Sequence, residues 1–357
     1  MLADSAPPAL PAISLIDDGA LLEWLQAGGQ PTYRLKQIRQ ALAAGAGFEQ
    51  MSTLPTDLRT QLTQRFRPRA LAEIERWDSD QGLTTKILYG LDGGYTVESV
   101  VMRYERRSTL CISSQVGCPI GCPFCATGKG PFGRNLKAGE IVDQAIAAAA
   151  LLAARGRRLT HVVYMGMGEP LANYEAVVQS VRGIADSSGL GISPRRITVS
   201  TSGLVPRIDE LAQESLPVTL AISLHAARDE LRDFLVPINR KYPLADLTQA
   251  AARFANRTGR RVSYEWVLLA EVNDSDQDAR ELIELTRQSF GHVNLIPFNP
   301  VPGTDFKEPD PGRIARFAGL LREGGVQVTV RDTRGRENSA ACGQLRARAI
   351  GAGVITA

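Results

Sequence analysis

Apolar residues recur every three or four positions through LLEWLQAG (21–28), YRLKQIRQALAAG (33–45) and PTDLRTQLTQRF (55–66), with Gly, Pro and Ser/Thr between the segments. That spacing gives each segment one apolar face and predicts a small module of short helices. The period then drops to two: TTKILYGL (84–91) and YTVESVVMRY (95–104) alternate around Asp92, Gly93 and Gly94, which predicts a β-hairpin. Beyond Ser108, strand-like runs at 109–114, 160–166, 196–201, 218–224, 262–269, 293–298 and 326–331 alternate with helical runs at 139–156, 173–189, 244–259, 276–290 and 312–325. Repeated strand, helix, strand units predict an α/β fold with a parallel sheet covered by helices, and about six units favour an open or closed barrel over a two-layer sandwich. Chemistry in such folds gathers at the carboxyl ends of the strands.

Composition narrows the class. With 44% hydrophobic and 22% charged residues in 357, the chain reads as globular, with one large domain and a smaller appendage. No apolar run reaches the ~18 residues of a membrane span. The start, MLADSAPPALPAISLIDDG, is acidic and Pro-rich where a signal peptide is basic and then apolar, so a cytoplasmic protein is expected. A formal charge of +3 permits a polyanionic partner without requiring one. Basic residues do bunch, as Arg59, Arg65, Arg67 and Arg69, as Arg103, Arg106 and Arg107, and as Arg331, Arg334 and Arg336. Solvated surface charge explains such bunching equally well.

Five cysteines change the picture, because four of them, Cys111, Cys118, Cys122 and Cys125, fall within fifteen positions, with Cys342 far downstream. An odd count at tight spacing in a chain with a large core points to metal ligation or redox catalysis in a reducing compartment. Cys118, Cys122 and Cys125 have C-x3-C-x2-C spacing in GCPIGCPFCATG, on the loop after the first barrel strand. Three thiolates on one loop reach three corners of a 4Fe-4S cubane and leave one iron open to another ligand. A structural zinc knuckle is the alternative, although no His lies within the loop to complete it.

The spacing and position resemble the radical SAM superfamily, in which S-adenosylmethionine (SAM) occupies the open iron. GMGEP (166–170) resembles that superfamily's GGEP-type element, which assigns Gly168 and Glu169 to SAM and makes Phe124 a wall for its adenine. The segments LCISSQVGCPIGCPFCATG, RNLKAGEIVDQ, VVYMGMGEPLANYEAVV, RRITVSTSGLVP, LAISLHAARDELR, NLIPFNPVPG and TRGRENSAACGQL closely resemble the RlmN/Cfr family of RNA methyltransferases across nearly the whole barrel. GQPTYRLKQIRQAL is similar to the family's accessory domain.

The resemblance implies a partial (β/α)6-type radical SAM barrel with a small N-terminal helical accessory domain. The expected division is an RNA-binding helical domain over 1–75, a linker with the hairpin over 76–105, the barrel with a catalytic-cysteine loop over 106–347 and a tail over 348–357. The implied reaction is methylation of adenine C2 in 23S ribosomal RNA and transfer RNA. C2 has no lone pair to attack a sulfonium, so simple displacement is closed and a radical route is needed. By resemblance, Cys342 carries the methyl group, Cys111 is the resolving thiol that forms a transient disulfide with it, and Glu98 accepts the proton. Ser200, Ser223, Leu224, His225 and Asn299 are implied SAM contacts, Leu224 through its backbone. A monomer fed electrons by flavodoxin is the family expectation. Two readings compete: methylation at C8 with the same cysteine pair, and an RNA-binding protein whose cluster is structural or carries electrons.

Overall fold

The computed structural model describes residues 10–287, 291–331, 340, 341 and 343–345. The expected amino-terminal helices are α1 (Asp18–Ala27), α2 (Tyr33–Ala43) and α3 (Thr56–Arg65). Their apolar faces meet in a core of their own, where Leu21, Leu25, Ile38 and Leu58 surround Phe48 and Phe66. Two hairpins follow, built from β1 (Ala72–Ser79), β2 (Thr84–Leu91), β3 (Tyr95–Arg103) and β4 (Ser108–Cys111). A short ribbon pairs β5 (Gln115–Val116) with β6 (Arg134–Asn135), flanking the single turn α4 (Ala126–Lys129).

The alternating units are α5 (Ala138–Ala153), β7 (His161–Tyr164), α6 (Tyr174–Ala185), β8 (Ile197–Thr201), α7 (Val205–Leu211) and β9 (Thr219–Ser223). They continue with α8 (Asp229–Leu235), α9 (Leu244–Thr258), β10 (Val262–Leu268), α10 (Asp276–Arg287), β11 (Gly291–Pro297), α11 (Pro311–Glu323) and β12 (Val328–Val330). One ten-stranded sheet results, in the order β1-β2-β3-β4-β7-β8-β9-β10-β11-β12. Pairing is antiparallel from β1 to β4 and parallel from β4 onward. β1 and β12 stand at opposite edges, so the expected parallel barrel is partial. No described helix is long and apolar enough to cross a membrane.

Period-2 alternation sorts the two faces. Leu110, Val162, Val199, Leu220 and Tyr264 join the apolar cluster that includes Ile141, Val177, Leu247 and Phe254 of the covering helices. The other face carries Ser200, Ser223, Glu265 and Asn294; Asn294 Nδ2 donates across strands to Glu265 Oε2 at 2.7 Å, and Ser263 Oγ donates to Oε1 along the same strand at 2.7 Å. A polar lumen under an apolar jacket leaves this fold somewhere to hold a polar ligand.

The helical module is docked on α5. Asp143 Oδ2 of that helix accepts from Ser14 Oγ at 2.8 Å and from Ala70 N–H at 2.7 Å, while burial pushes the carboxyl above the usual carboxylate range. Contact is close: a Cβ at Gly139 would stand 2.3 Å from the Ser14 carbonyl oxygen. Gly139→Ala should therefore destabilise the protein by about 1–3 kcal/mol through overpacking, reversing the gain of about 1 kcal/mol that Ala normally brings to a helix. Thermal unfolding measures this, and an unchanged or raised Tm would mean the module does not press on α5 as described.

Several arginines of the expected basic clusters are used internally. Arg67 pairs with Asp92 at 2.6 Å, and buried Arg103 donates to Thr85 Oγ1 at 2.5 Å. Arg65, Arg106 and Arg107 are exposed, whereas Arg334 and Arg336 lie outside the described residues.

Candidate active site

The loops leaving β4, β7, β8, β9 and β11 meet over the carboxyl end of the sheet and enclose a cleft of about 940 Å³, its open mouth included. Cys118, Cys122 and Cys125 stand on one wall, facing Gly168 and Glu169 after β7, Ser200 and Ser223 at the ends of β8 and β9, His225, and Asn299 after β11. Leu224 does not line the cleft; its N–H donates to Glu265 O at 2.9 Å and its carbonyl accepts from Arg232 Nε at 3.1 Å. Phe124 lines the cleft beside Cys125 and meets the His225 ring edge-on at 5.0 Å.

Local backbone fixes this arrangement. The cysteine loop doubles back so tightly that a Cβ at Gly117 (φ +76°) would lie 2.1 Å from Pro131 O. Gly168 (φ +105°) passes just as closely, with a notional Cβ 2.6 Å from Gln115 Cβ. Only glycine tolerates both the left-handed conformation and the approach. The signal for both was already in the sequence, as the glycines of VGC and GMGEP.

Burial pushes the Cys118 thiol up to about 12, and burial together with the Cys125 and Cys118 thiols drives Cys122 well above the usual thiol range. Three adjacent thiolates are stable here only beside compensating positive charge, which iron supplies. None of the four described cysteines is in a disulfide. Three thiols on one short loop lining the cleft are a donor set that fits three corners of a 4Fe-4S cubane.

Glu169 is fully enclosed. Its Oε2 accepts from Ser202 N–H at 2.7 Å and Ser202 Oγ at 2.8 Å, and Oε1 accepts from Leu171 N–H at 3.0 Å. Burial raises its carboxyl, and hydrogen bonding from Ser202, Leu171 and Thr201 opposes that rise. His225 is held neutral, its pKa lowered to about 3 by burial and by the Arg232 guanidinium. Its Nδ1 accepts from Val267 N–H at 3.0 Å, so the ring proton sits on Nε2 as a donor.

Glu98 and Cys111 lie beside this cleft and not in its wall. Cys111 is directly across from Val100 in the β3–β4 ladder, so Cys111 and Glu98 share one sheet face a rung apart. Both are buried. Glu98 is tied to the neighbouring loops: its N–H donates to Met167 Sδ at 3.3 Å and its carbonyl accepts from Ser113 Oγ at 2.5 Å. Cys342 lies outside the described residues. Its neighbours are placed, however: Gly343 lines the cleft and its carbonyl accepts from Ala126 N–H at 2.7 Å, and Thr127 Oγ1 donates to Leu345 O at 2.5 Å.

Sequence reasoning missed Glu265 and Arg331, which line the cleft, and Arg232 behind it. Arg232 is fully buried and donates to the carbonyls of Ser202 at 2.7 Å, Ser223 at 3.1 Å and Leu224, binding the ends of β8 and β9 together. The glutamate inside the otherwise apolar VSYEWVLL was the signal available for Glu265.

Residues 112–283 match the model of the radical SAM superfamily. The chain is 50% identical over 325 residues to a probable dual-specificity RNA methyltransferase RlmN of Moorella thermoacetica, covering 89% of this chain and 92% of that protein. It is 47% identical to the same-named protein of Corynebacterium glutamicum, over 93% of each chain. Among solved structures, a radical SAM methyltransferase from Sphaerobacter thermophilus superposes with a TM-score of 0.91 at 47% identity, covering 94% of this chain and 99% of that one.

Proposed function

The chain belongs to the RlmN family of radical SAM RNA methyltransferases, and from that premise we propose that it methylates C2 of an adenine in 23S ribosomal RNA and in transfer RNA. The supporting observation is the placement of Gly343 in the cleft wall beside the three-cysteine loop, with Cys111 on the adjoining strand.

In this reading Cys118, Cys122 and Cys125 hold the cluster, and Gly168, Glu169, Ser200, Ser223, Leu224, His225 and Asn299 hold SAM, with Phe124 against its adenine. The cluster, when bound, supplies the electron that cleaves SAM to a carbon radical and accepts the electron left over when the adduct resolves. The protein's own groups do the rest. Cys342 first takes a methyl group by thiolate displacement and then, after losing one hydrogen from that methyl, joins its methylene carbon to C2. Glu98 accepts the C2 proton. The Cys111 thiolate attacks the Cys342 sulfur; the sulfur–carbon bond breaks with its electron pair on the methylene carbon, which takes up a proton to become the methyl group, the disulfide forms and the methylated base leaves, with cellular thiols restoring the pair. The target adenine must be unstacked first, which costs a few kcal/mol and less in a loop. The amino-terminal helices, with exposed Arg65, provide an RNA-binding module in this scheme. A monomeric cytoplasmic enzyme reduced by a flavodoxin-type donor completes it.

Nucleoside mass spectrometry of RNA from cells lacking the protein tests the reading. Loss of 2-methyladenosine is expected; loss of 8-methyladenosine would replace C2 by C8, and no loss of either would refute both. Glu169→Gln should weaken SAM binding roughly ten- to a hundredfold, as expected for one charge-assisted hydrogen bond, with iron content unchanged. Unchanged affinity would reduce GMGEP to a turn.

A further inference from the structure

Lys86 of β2 is 2% exposed, a placement that lysine almost never takes without a partner. Its ammonium stands 3.4 Å from Glu98 Oε1 and 4.8 Å from the centre of the Trp77 ring. The register explains the meeting: Lys86 is directly across from Val100, as Cys111 is on the other side, and Glu98 is two residues along the same face. Trp77 is directly across from Lys86 on β1. The backbone of Glu98 is meanwhile anchored through Met167 and Ser113 to the loops that build the cleft. A carboxyl and an ammonium therefore face each other, both withdrawn from water, next to the cysteine assigned to resolve the adduct.

We propose that Lys86 is the positioning residue for Glu98 in the proton-removal step, its ammonium 3.4 Å from Oε1 aiming the carboxyl group at the adduct carbon. This rests on the reading of Glu98 as proton acceptor. In that step the C2–H bond breaks, its electron pair stays with the base, and the proton goes to a Glu98 oxygen. Removing the ammonium takes away the contact at 3.4 Å that sets the direction of this buried carboxyl, so the acceptor oxygen would meet the C2 proton less often. The Trp77 ring adds attraction for the cation and fixes where it sits. No other part of the scheme uses Lys86, so its removal should leave methyl loading and SAM cleavage in place and slow only release of the product.

The test is expression in cells of Glu98→Gln, Lys86→Met, Lys86→Arg and the Glu98/Lys86 double variant, followed by denaturing gels with and without ribonuclease. Release of 5'-deoxyadenosine from SAM by each purified holoenzyme reports an intact cleft. Lys86→Met should accumulate a ribonuclease-sensitive adduct as Glu98→Gln does, its resolution slowed on the order of tenfold or more, with SAM cleavage kept. Lys86→Arg should reduce the adduct by keeping the cation, and the double variant should be no worse than Glu98→Gln alone, because Lys86 acts only through Glu98. An adduct in Glu98→Gln with normal turnover in Lys86→Met would overturn the proposal. So would loss of SAM cleavage without adduct in Lys86→Met, which marks a strut. No adduct in Glu98→Gln would instead bring down the reading of Glu98 beneath it. Should Lys86→Met not fold, Lys86→Gln, a neutral side chain in the same space, replaces it under the same criteria.

Discussion

Replacing any one of Cys118, Cys122 and Cys125 with Ala should yield a folded, colourless protein that releases no 5'-deoxyadenosine from SAM. The three thiols stand on one wall of a cleft where burial opposes ionisation of Cys118 and Cys122, so in the proposed site the thiolates would depend on iron for compensating charge and the cluster would depend on all three sulfurs. Two thiolates do not hold three corners of a cubane. Folding should survive, because the large apolar core contains none of these cysteines. Cys122 and Cys125 only flank a satellite cluster around Phe124, Leu235 and Phe298. Iron analysis, the visible spectrum and chromatography of the SAM products read the result. A triple Ala variant that kept a SAM-responsive 4Fe-4S cluster would refute the ligand assignment.

Strong periodicity made most of the scaffold legible. Each strand-like run from 109–114 to 326–331 corresponds to a strand of the sheet, because one face of each strand packs on covering helices and shows in the sequence as apolar residues. β1 was not legible. It forms the sheet edge and is exposed along most of its length, so AEIERWDS carries no buried face for a pattern to reveal. Helices α7 and α8, at seven residues each, are too short to display a periodic stripe.

The sequence pointed to this cleft through the glycine of GMGEP, Gly168, and through the cysteine spacing that limits the chemistry. The cleft was not legible where a charge is buried by tertiary structure alone. By pattern, Glu98 reads as a solvated strand carboxylate, yet it is 1% exposed against Lys86. Nothing in the sequence singles out Arg232, and only the approach of the β8 and β9 ends makes it a donor to their carbonyls. Local sequence says nothing about which distant carbonyls lack donors, so the polar groups beneath this cleft came into view only with the fold.

The two outer cysteines should fail in opposite ways. Cys342→Ala should bind SAM and form no RNA adduct, since no sulfur remains to carry the methyl group. Cys111→Ala should load the methyl group, lose hydrogen from it, join adenine and then stop as a covalent protein–RNA species, because no thiol is left to attack the Cys342 sulfur. The disulfide needs the two Cα atoms within about 4.4–6.8 Å. On one side, Cys111 is fixed in the sheet between β3 and β7. On the other, the hydrogen bonds from Ala126 to Gly343 and from Gln344 Nε2 to Pro300 O hold the returning segment against the cysteine loop and the β11 loop. Denaturing gels of each variant expressed in cells, run with and without ribonuclease, should show a retarded, ribonuclease-sensitive band for Cys111→Ala and none for Cys342→Ala. Normal turnover by Cys111→Ala without a retarded band would end the two-cysteine scheme and leave the radical SAM methyltransferase assignment standing without it.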